Sequence, residues 1–223
     1  ARFGSWIETG LSYQLSIPQY PPEHAWLFSL KYLPANLYGY LLRPPLLEGR
    51  FPFVSVPFVR EMDWPWFIRL PEHYIYHEPQ AGLLVALPLV VLALLPMYRS
   101  VRLIFKHPSP SAQAEAGWST MLAGAALLQA GVILVYFFSA LRFQMEIMPL
   151  IYLLACLGVW QVDRRLANRR GWRRLFWLVV MACSLYGLGM GLLGGFSAGD
   201  QRFEANNPHL YAALRNWFDA VLH

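Results

Sequence analysis

Charge is scarce in this sequence: only 14% of its 223 residues are Asp, Glu, Lys or Arg, against about 25% in a typical soluble domain. With 57% hydrophobic residues and a mean hydropathy of +0.35, that shortage argues against an ordinary soluble domain. It also excludes a disordered chain, which needs low hydrophobicity and high charge. Cysteine is equally sparse. Cys156 and Cys183 both lie inside apolar runs with no C-x-x-C around them, so a disulfide framework is not supported and the two read as packing residues. Histidine is missing from every apolar run, which counts against haem or chlorophyll ligation by histidine within a bundle. There is no P-loop, no H-E-x-x-H, no G-x-S-x-G and no Gly-rich dinucleotide turn after a strand; Gly187-Leu188-Gly189 lies within an apolar run. His73 and His77, with Glu72 and Glu78, would suit a metal only on a helix, and the Tyr-Ile-Tyr between the histidines looks extended. No metal and no cofactor is therefore expected. The chain opens Ala1-Arg2-Phe3-Gly4, with no initiator Met and no basic-then-apolar leader, and the expectation is that residue 1 is not the start of the gene product.

What the sequence does have is four long apolar runs, at about 81–98, 118–141, 143–162 and 175–196. A helix needs about 20 such residues to cross the hydrocarbon core. The second and fourth runs qualify easily. The first carries Pro88 and Pro96, which are tolerated where neighbouring helices satisfy the freed carbonyls. The third has Gln144 and Glu146 near its start. The expected fold is an all-α membrane protein with four transmembrane helices in residues 81–196. Residues 1–80 form an irregular, aromatic- and Pro-rich extracytoplasmic cap, and residues 197–223 an extracytoplasmic amphipathic tail.

Orientation follows from the basic residues. Arg99, Arg102 and Lys106 follow the first run, and Arg164, Arg165, Arg169, Arg170, Arg173 and Arg174 follow the third; together they are nine of the 18 basic residues. Both loops lie on one side if all four runs cross, which places them in the cytoplasm and both ends of the chain outside. This distribution also accounts for the net charge of +5. The Arg-rich loop reads as a topology signal and a binder of anionic lipid headgroups, and no nucleic-acid motif accompanies it.

Within residues 1–80, Leu27, Leu30, Leu33, Leu37, Tyr40 and Leu41 predict a helix over about 26–42, kinked at Pro34 and ended by Pro44 and Pro45. Trp64, Trp66 and Phe67 suit a membrane boundary. In the tail, Asn207 and Pro208 predict a helix start. Leu210, Tyr211, Leu214, Trp217, Phe218 and Leu222 form its apolar face. Gly187, Gly191 and Gly195 recur every fourth residue, a spacing that lets another helix approach; the partner is either the same bundle or a separate chain.

One constellation carries chemistry. Arg142, Gln144 and Glu146 sit at the outer end of the third run, where an ionisable residue is a functional candidate. Arg142 can fork onto a phosphate, with Glu146 at i+4 to orient it. The alternative is a structural Arg–Glu pair that anchors the helix at the interface.

Three stretches carry a family likeness: Arg2-Phe3-Gly4-Ser5, FSLKYLPANLYGYLLRPP from Phe28 to Pro45, and LRFQMEIMPLIYLLA from Leu141 to Ala155. They resemble segments of bacterial GT-C type, protein-mannosyltransferase-like membrane glycosyltransferases. The resemblance implies a multi-pass helical enzyme of the bacterial cytoplasmic membrane. It would use a polyprenyl-phosphate-linked sugar on the outer face, and its acidic catalytic residue would lie in the first outer loop. No position here matches that residue, and Arg60, Glu61 and Asp63 match no motif. The chain would then be the C-terminal part of such a protein, with Arg142 carried over as a contact to the donor's phosphate. A non-catalytic subunit of a larger membrane complex is the other reading, with the glycine face and aromatic layer as partner surfaces. A transporter fits less well, because matched broken helices and charges within the spans are not evident.

Overall fold

The computed structural model describes residues 27–56, 64–71, 74, 78, 80–104 and 110–222, without the side chains of residues 103–104, 110–116, 198–202 and 222. Arg2 to Ser5, Arg60, Glu61, Asp63, Glu72, His73, His77 and Lys106 lie outside the described residues.

The first described segment is helical, but in three pieces: a 3-10 turn at Leu30–Tyr32, α1 at Leu33–Leu37 and a π-helical turn at Tyr38–Leu42. Ser29 starts it, its side chain accepting from the Lys31 N–H. Pro34 falls in the first turn of α1, just after the change from 3-10 to α, where its missing N–H is not needed. Arg43 then turns extended ahead of Pro44, as the residue before a proline must. A short hairpin follows, β1 at Leu46–Leu47 paired antiparallel with β2 at Val54–Ser55.

Among the described residues, three helices are long and apolar enough to cross a membrane, over Gly117–Leu134, Leu141–Arg165 and Arg170–Ser197. They belong to α4 (Pro110–Leu134), α5 (Leu141–Arg165) and α6 (Arg170–Asn206). The first apolar run is not a single helix. It splits into α2 at Leu83–Ala86, a 3-10 stretch at Pro88–Ala93 and α3 at Leu94–Ile104. Pro88 is the cause. It has no N–H to offer the carbonyl four residues back, and it forces Leu87 out of the helical region, to φ −140° and ψ 76°.

The broken segment is held by α5, which packs closely on the 3-10 stretch. Gly158 makes this possible: a Cβ there would run into the Leu92 carbonyl. Mostly small residues continue the contact, with Ala93, Ala123, Ala126, Leu154 and Ala155 forming one buried cluster across the 3-10 stretch, α4 and α5. Close backbone approach through small side chains is how helices associate where hydrophobicity gives no preference between partner and lipid.

Helix limits differ from the apolar runs in a consistent way. Helix α4 stops at Leu134 because Tyr136 to Ser139 form an aromatic turn, tied to the cap by the Phe28–Tyr136 bridge and by the Ser29 N–H to Val135 O bond of 2.8 Å. Helix α6 begins at Arg170, inside the basic stretch, and continues past Phe196 to Asn206. Its 37 residues make it about 55 Å long at 1.5 Å per residue. Its far end is gripped by aromatics: Phe51 of the hairpin lies 5.1 Å from Phe196, 5.4 Å from Tyr211 and 5.2 Å, stacked, from Phe218. The last two belong to α7, Pro208–Leu222. Asn207 sits between the helices as expected, its N–H bonded to Phe203 O and its carbonyl accepting from Tyr211 N.

Candidate functional site

Five polar side chains join the cap to the α4–α5 turn: Asn36, Tyr40, Tyr74 and Glu78 from the cap and Gln144 from α5. Asn36 is fully buried. Its Nδ2 donates to the carbonyls of Ile133, Leu134 and Tyr136 at 3.3, 3.0 and 2.7 Å. These lie at the C-terminal end of α4, where carbonyls have no partner within the helix. Its Oδ1 accepts from the Tyr74 hydroxyl at 2.8 Å. On the other side of the turn, Glu78 Oε2 accepts from the Leu141 N–H at 2.8 Å, a negative charge at the N-terminus of α5. Gln144, one turn on, donates through Nε2 to Tyr40 O at 3.2 Å and Ala81 O at 2.9 Å. The Tyr40 hydroxyl accepts from Ala140 N at 3.1 Å.

Burial pushes the Tyr74 hydroxyl up to about 12 and that of Tyr40 further. Both phenols therefore stay neutral at physiological pH. Gln80, next to Ala81 in sequence, is 1% exposed with neither amide atom hydrogen-bonded.

The Glu78 contact carries a first prediction. Glu78→Ala should cost about 1 kcal/mol, the usual worth of a charge-assisted helix cap, seen as a lower unfolding midpoint with unchanged helix content. A midpoint equal to the wild type would mean that the α5 terminus is satisfied without this carboxylate.

Arg142 stands beside this clamp, in the first turn of α5, and is exposed. Its guanidinium lies over two rings, 5.0 Å from the centroid of Phe143 and 5.9 Å from that of Phe138. Cation–π contact orients the group and leaves its N–H donors on the edge available. Glu146 is also exposed, one turn further, and forms no ion pair with Arg142. The arginine thus rests on the aromatic turn instead of being oriented by Glu146.

The three spaced glycines separate. A Cβ on Gly187 would lie 2.6 Å from Leu87 Cδ1, while Gly191 and Gly195 face open space. Gly187 is therefore an internal contact, made against the break in the first run. Gly82 is tighter than any of the three, its Cβ position 2.5 Å from the Arg43 backbone nitrogen.

At the opposite end of the bundle the basic residues are more helical than expected, with only Leu166 to Arg169 outside α5 and α6. Asp163 ties the two helices. Its carboxylate accepts from Arg173 Nε at 2.6 Å and Nη2 at 2.9 Å, and from Trp177 Nε1 at 2.8 Å. Among the described residues, no cluster of three or more His, Cys, Asp or Glu could hold a metal ion.

No family model, no curated protein and no solved structure matches this chain. The functional reading rests on residues alone.

Proposed function

We propose that this chain is the C-terminal portion of a membrane glycosyltransferase that uses a polyprenyl-phosphate-linked sugar on the extracytoplasmic face. In this reading Arg142 takes the lipid phosphate, and the catalytic carboxylate lies outside this chain. The supporting observation is the state of Arg142: an exposed guanidinium without a carboxylate partner, held over Phe138 and Phe143. A cation on an apolar platform at the end of a membrane helix suits a ligand that is a phosphate at one end and hydrocarbon at the other. The broken segment from Leu83 to Ile104 serves as a fourth crossing. The Arg-rich end then faces the cytoplasm, and the cap and α7 lie outside.

The test uses the natural full-length protein in membranes. Arg142→Ala should lower sugar transfer at least about tenfold, the loss of one charge-assisted contact, with the fold intact. Arg142→Lys should recover only part of it, because an ammonium cannot reproduce the two-pronged geometry. Unchanged transfer by Arg142→Ala would remove Arg142 from the site. An intact mass close to 25.6 kDa for the natural polypeptide would remove the enzyme reading as a whole.

One observation favours the alternative of an accessory subunit: the exposed apolar surface of α6, which includes Leu185, Leu188 and Leu192 beside the open Gly191 and Gly195. A neighbouring membrane subunit could pack there.

A further inference from the structure

The hairpin and α7 meet at the end of the bundle opposite the Arg-rich end, and two contacts fix their level. Phe51, in the hairpin turn, touches both Phe196 and Phe218. Phe196 is the last residue but one of the apolar stretch Arg170–Ser197. Val54 of β2 comes within 3.9 Å of the Cβ position of Gly194, a little inside that end. The ring of Trp217 lies 4.8 Å from that of Phe218. The hairpin and the second half of α7 are thus held at the depth where the α6 span stops.

What these elements expose is the reverse of what water selects. A helix on a soluble surface turns its apolar residues inward and its charges outward. In α7 the charged residues Arg215 and Asp219 are half-buried, and among the described side chains none of the exposed ones is Asp, Glu, Lys or Arg. Leu210, Trp217 and Val221 are exposed instead, the last two at 58% and 61%. Their spacing places them on one stripe. The apolar face of α7 therefore divides in two. Tyr211 and Phe218 pack on Phe51, while Leu210, Trp217 and Val221 stay uncovered. Strand β1 behaves in the same way. Leu46 and Leu47 point to opposite sides of the strand, and both are exposed, Leu47 at 78%. A single exposed leucine needs no explanation; a stripe of apolar side chains on a helix that turns its charges inward does.

The occupant follows from position. This surface adjoins the end of an apolar span, so a bilayer that surrounds α6 reaches it directly. Tryptophan favours that boundary, and an interfacial helix lies with its apolar face about 5–10 Å into it. Glu48 and Arg50, exposed in the hairpin turn, limit the insertion to the headgroup level. We propose that β1 and α7 form one interfacial anchor, with Leu46, Leu47, Leu210, Trp217 and Val221 seated in the lipid leaflet around the end of α6. Phe51 couples its two parts. The packing stripe and the lipid stripe of α7 are then different residues, and the hairpin shares in the membrane contact. This anchor does not involve Arg142 and serves a transferase or a subunit equally.

The experiment is spin labelling of the full chain in phosphatidylcholine vesicles at low protein-to-lipid ratio. Single cysteines replace Leu47, Trp217 or Val221, and Ala212 or Asn216 on the far side of α7, in a Cys156→Ala, Cys183→Ala background. Collisions of each label with oxygen, which concentrates in the bilayer, are compared with those of a nickel chelate, which stays in water. The three anchor sites are exposed, so their labelled forms should keep the helix content of the parent, and each site tests the anchor separately. Oxygen should exceed nickel several-fold at Leu47, Trp217 and Val221, and nickel should prevail at Ala212 and Asn216. Nickel prevailing at Trp217 and Val221 would overturn the anchor and give this stripe to water. Labels there shielded from both reagents would overturn it in favour of a protein cover, a second copy included. Oxygen prevailing on α7 with nickel prevailing at Leu47 would overturn the part assigned to the hairpin.

Discussion

Asn36→Leu should be among the most damaging single changes in this protein, costing about 4 kcal/mol and lowering the unfolding midpoint by roughly 10 °C. The side chains are similar in size, so packing is nearly conserved and the loss is one of hydrogen bonds. Asn36 supplies a donor to three carbonyls at the end of α4 and an acceptor to Tyr74. Ile133 O keeps the Tyr136 N–H at 3.4 Å, but the Leu134 and Tyr136 carbonyls and the Tyr74 hydroxyl lose their Asn36 partner at a fully buried position, and each unsatisfied group costs about 1–3 kcal/mol. Tyr74→Phe, which removes one partner, should cost only about 1 kcal/mol.

Asn36→Asp separates this account from a steric one. Three carbonyls facing a carboxylate repel it, so Asp should be at least as harmful as Leu at neutral pH. It should recover in part under acid, when the protonated carboxyl has a hydrogen to donate. Thermal or denaturant unfolding in detergent, followed by circular dichroism, measures all three variants. A leucine variant within about 2 °C of the wild type would mean that the cap does not hold the α4–α5 turn through Asn36.

This clamp was the part of the structure least visible in the sequence, and the reason is distance along the chain. Asn36 reaches Ile133 across 97 positions, and Gln144 reaches Tyr40 across 104. No local pattern announces such partners; a lone asparagine in an apolar helical stretch is the only trace. Arg142 was legible because a charge at the end of an apolar run is anomalous by itself. Its seat on Phe138 and Phe143 was not, since the turn that brings those rings under it depends on the bridge to Phe28. The long helices were legible from length and hydropathy, but their ends were not. Polar helix ends such as Arg170 to Arg174 look like loop to a hydropathy count, and the aromatic turn at Tyr136 to Ser139 looks like span. The break in the first run had a visible cause in Pro88. Its stabilisation did not, because that depends on Gly158 of a different helix.

Gly158 therefore gives the other large prediction. Gly158→Ala should destabilise by about 3 kcal/mol, although alanine is the better helix former by about 1 kcal/mol. The added Cβ meets the Leu92 carbonyl, which is backbone, so no rotamer change relieves it and α5 must move off the 3-10 stretch. Gly158→Val should fail to accumulate as folded protein. The spaced glycines of α6 supply the controls. Gly187→Ala comes too close only to the end of the Leu87 side chain, with the Ala86 carbonyl at an ordinary 3.5 Å; the leucine can rotate away, so the cost should be small. Gly191→Ala and Gly195→Ala add a methyl in open space and should be neutral or slightly stabilising in the purified chain. Reversible unfolding in mixed detergent gives all four values. A Gly158→Ala protein as stable as the wild type would overturn the packing of α5 on the broken segment.

The same series separates the two functional readings when repeated in native membranes. If α6 faces only lipid, Gly191→Ala and Gly195→Ala should remain harmless there. If a neighbouring subunit packs against that face, the two should lower the abundance or assembly of the protein in the cell while leaving the isolated chain unaffected. The glycines whose Cβ positions meet nothing among the described residues are thus the ones that report on what lies outside this bundle.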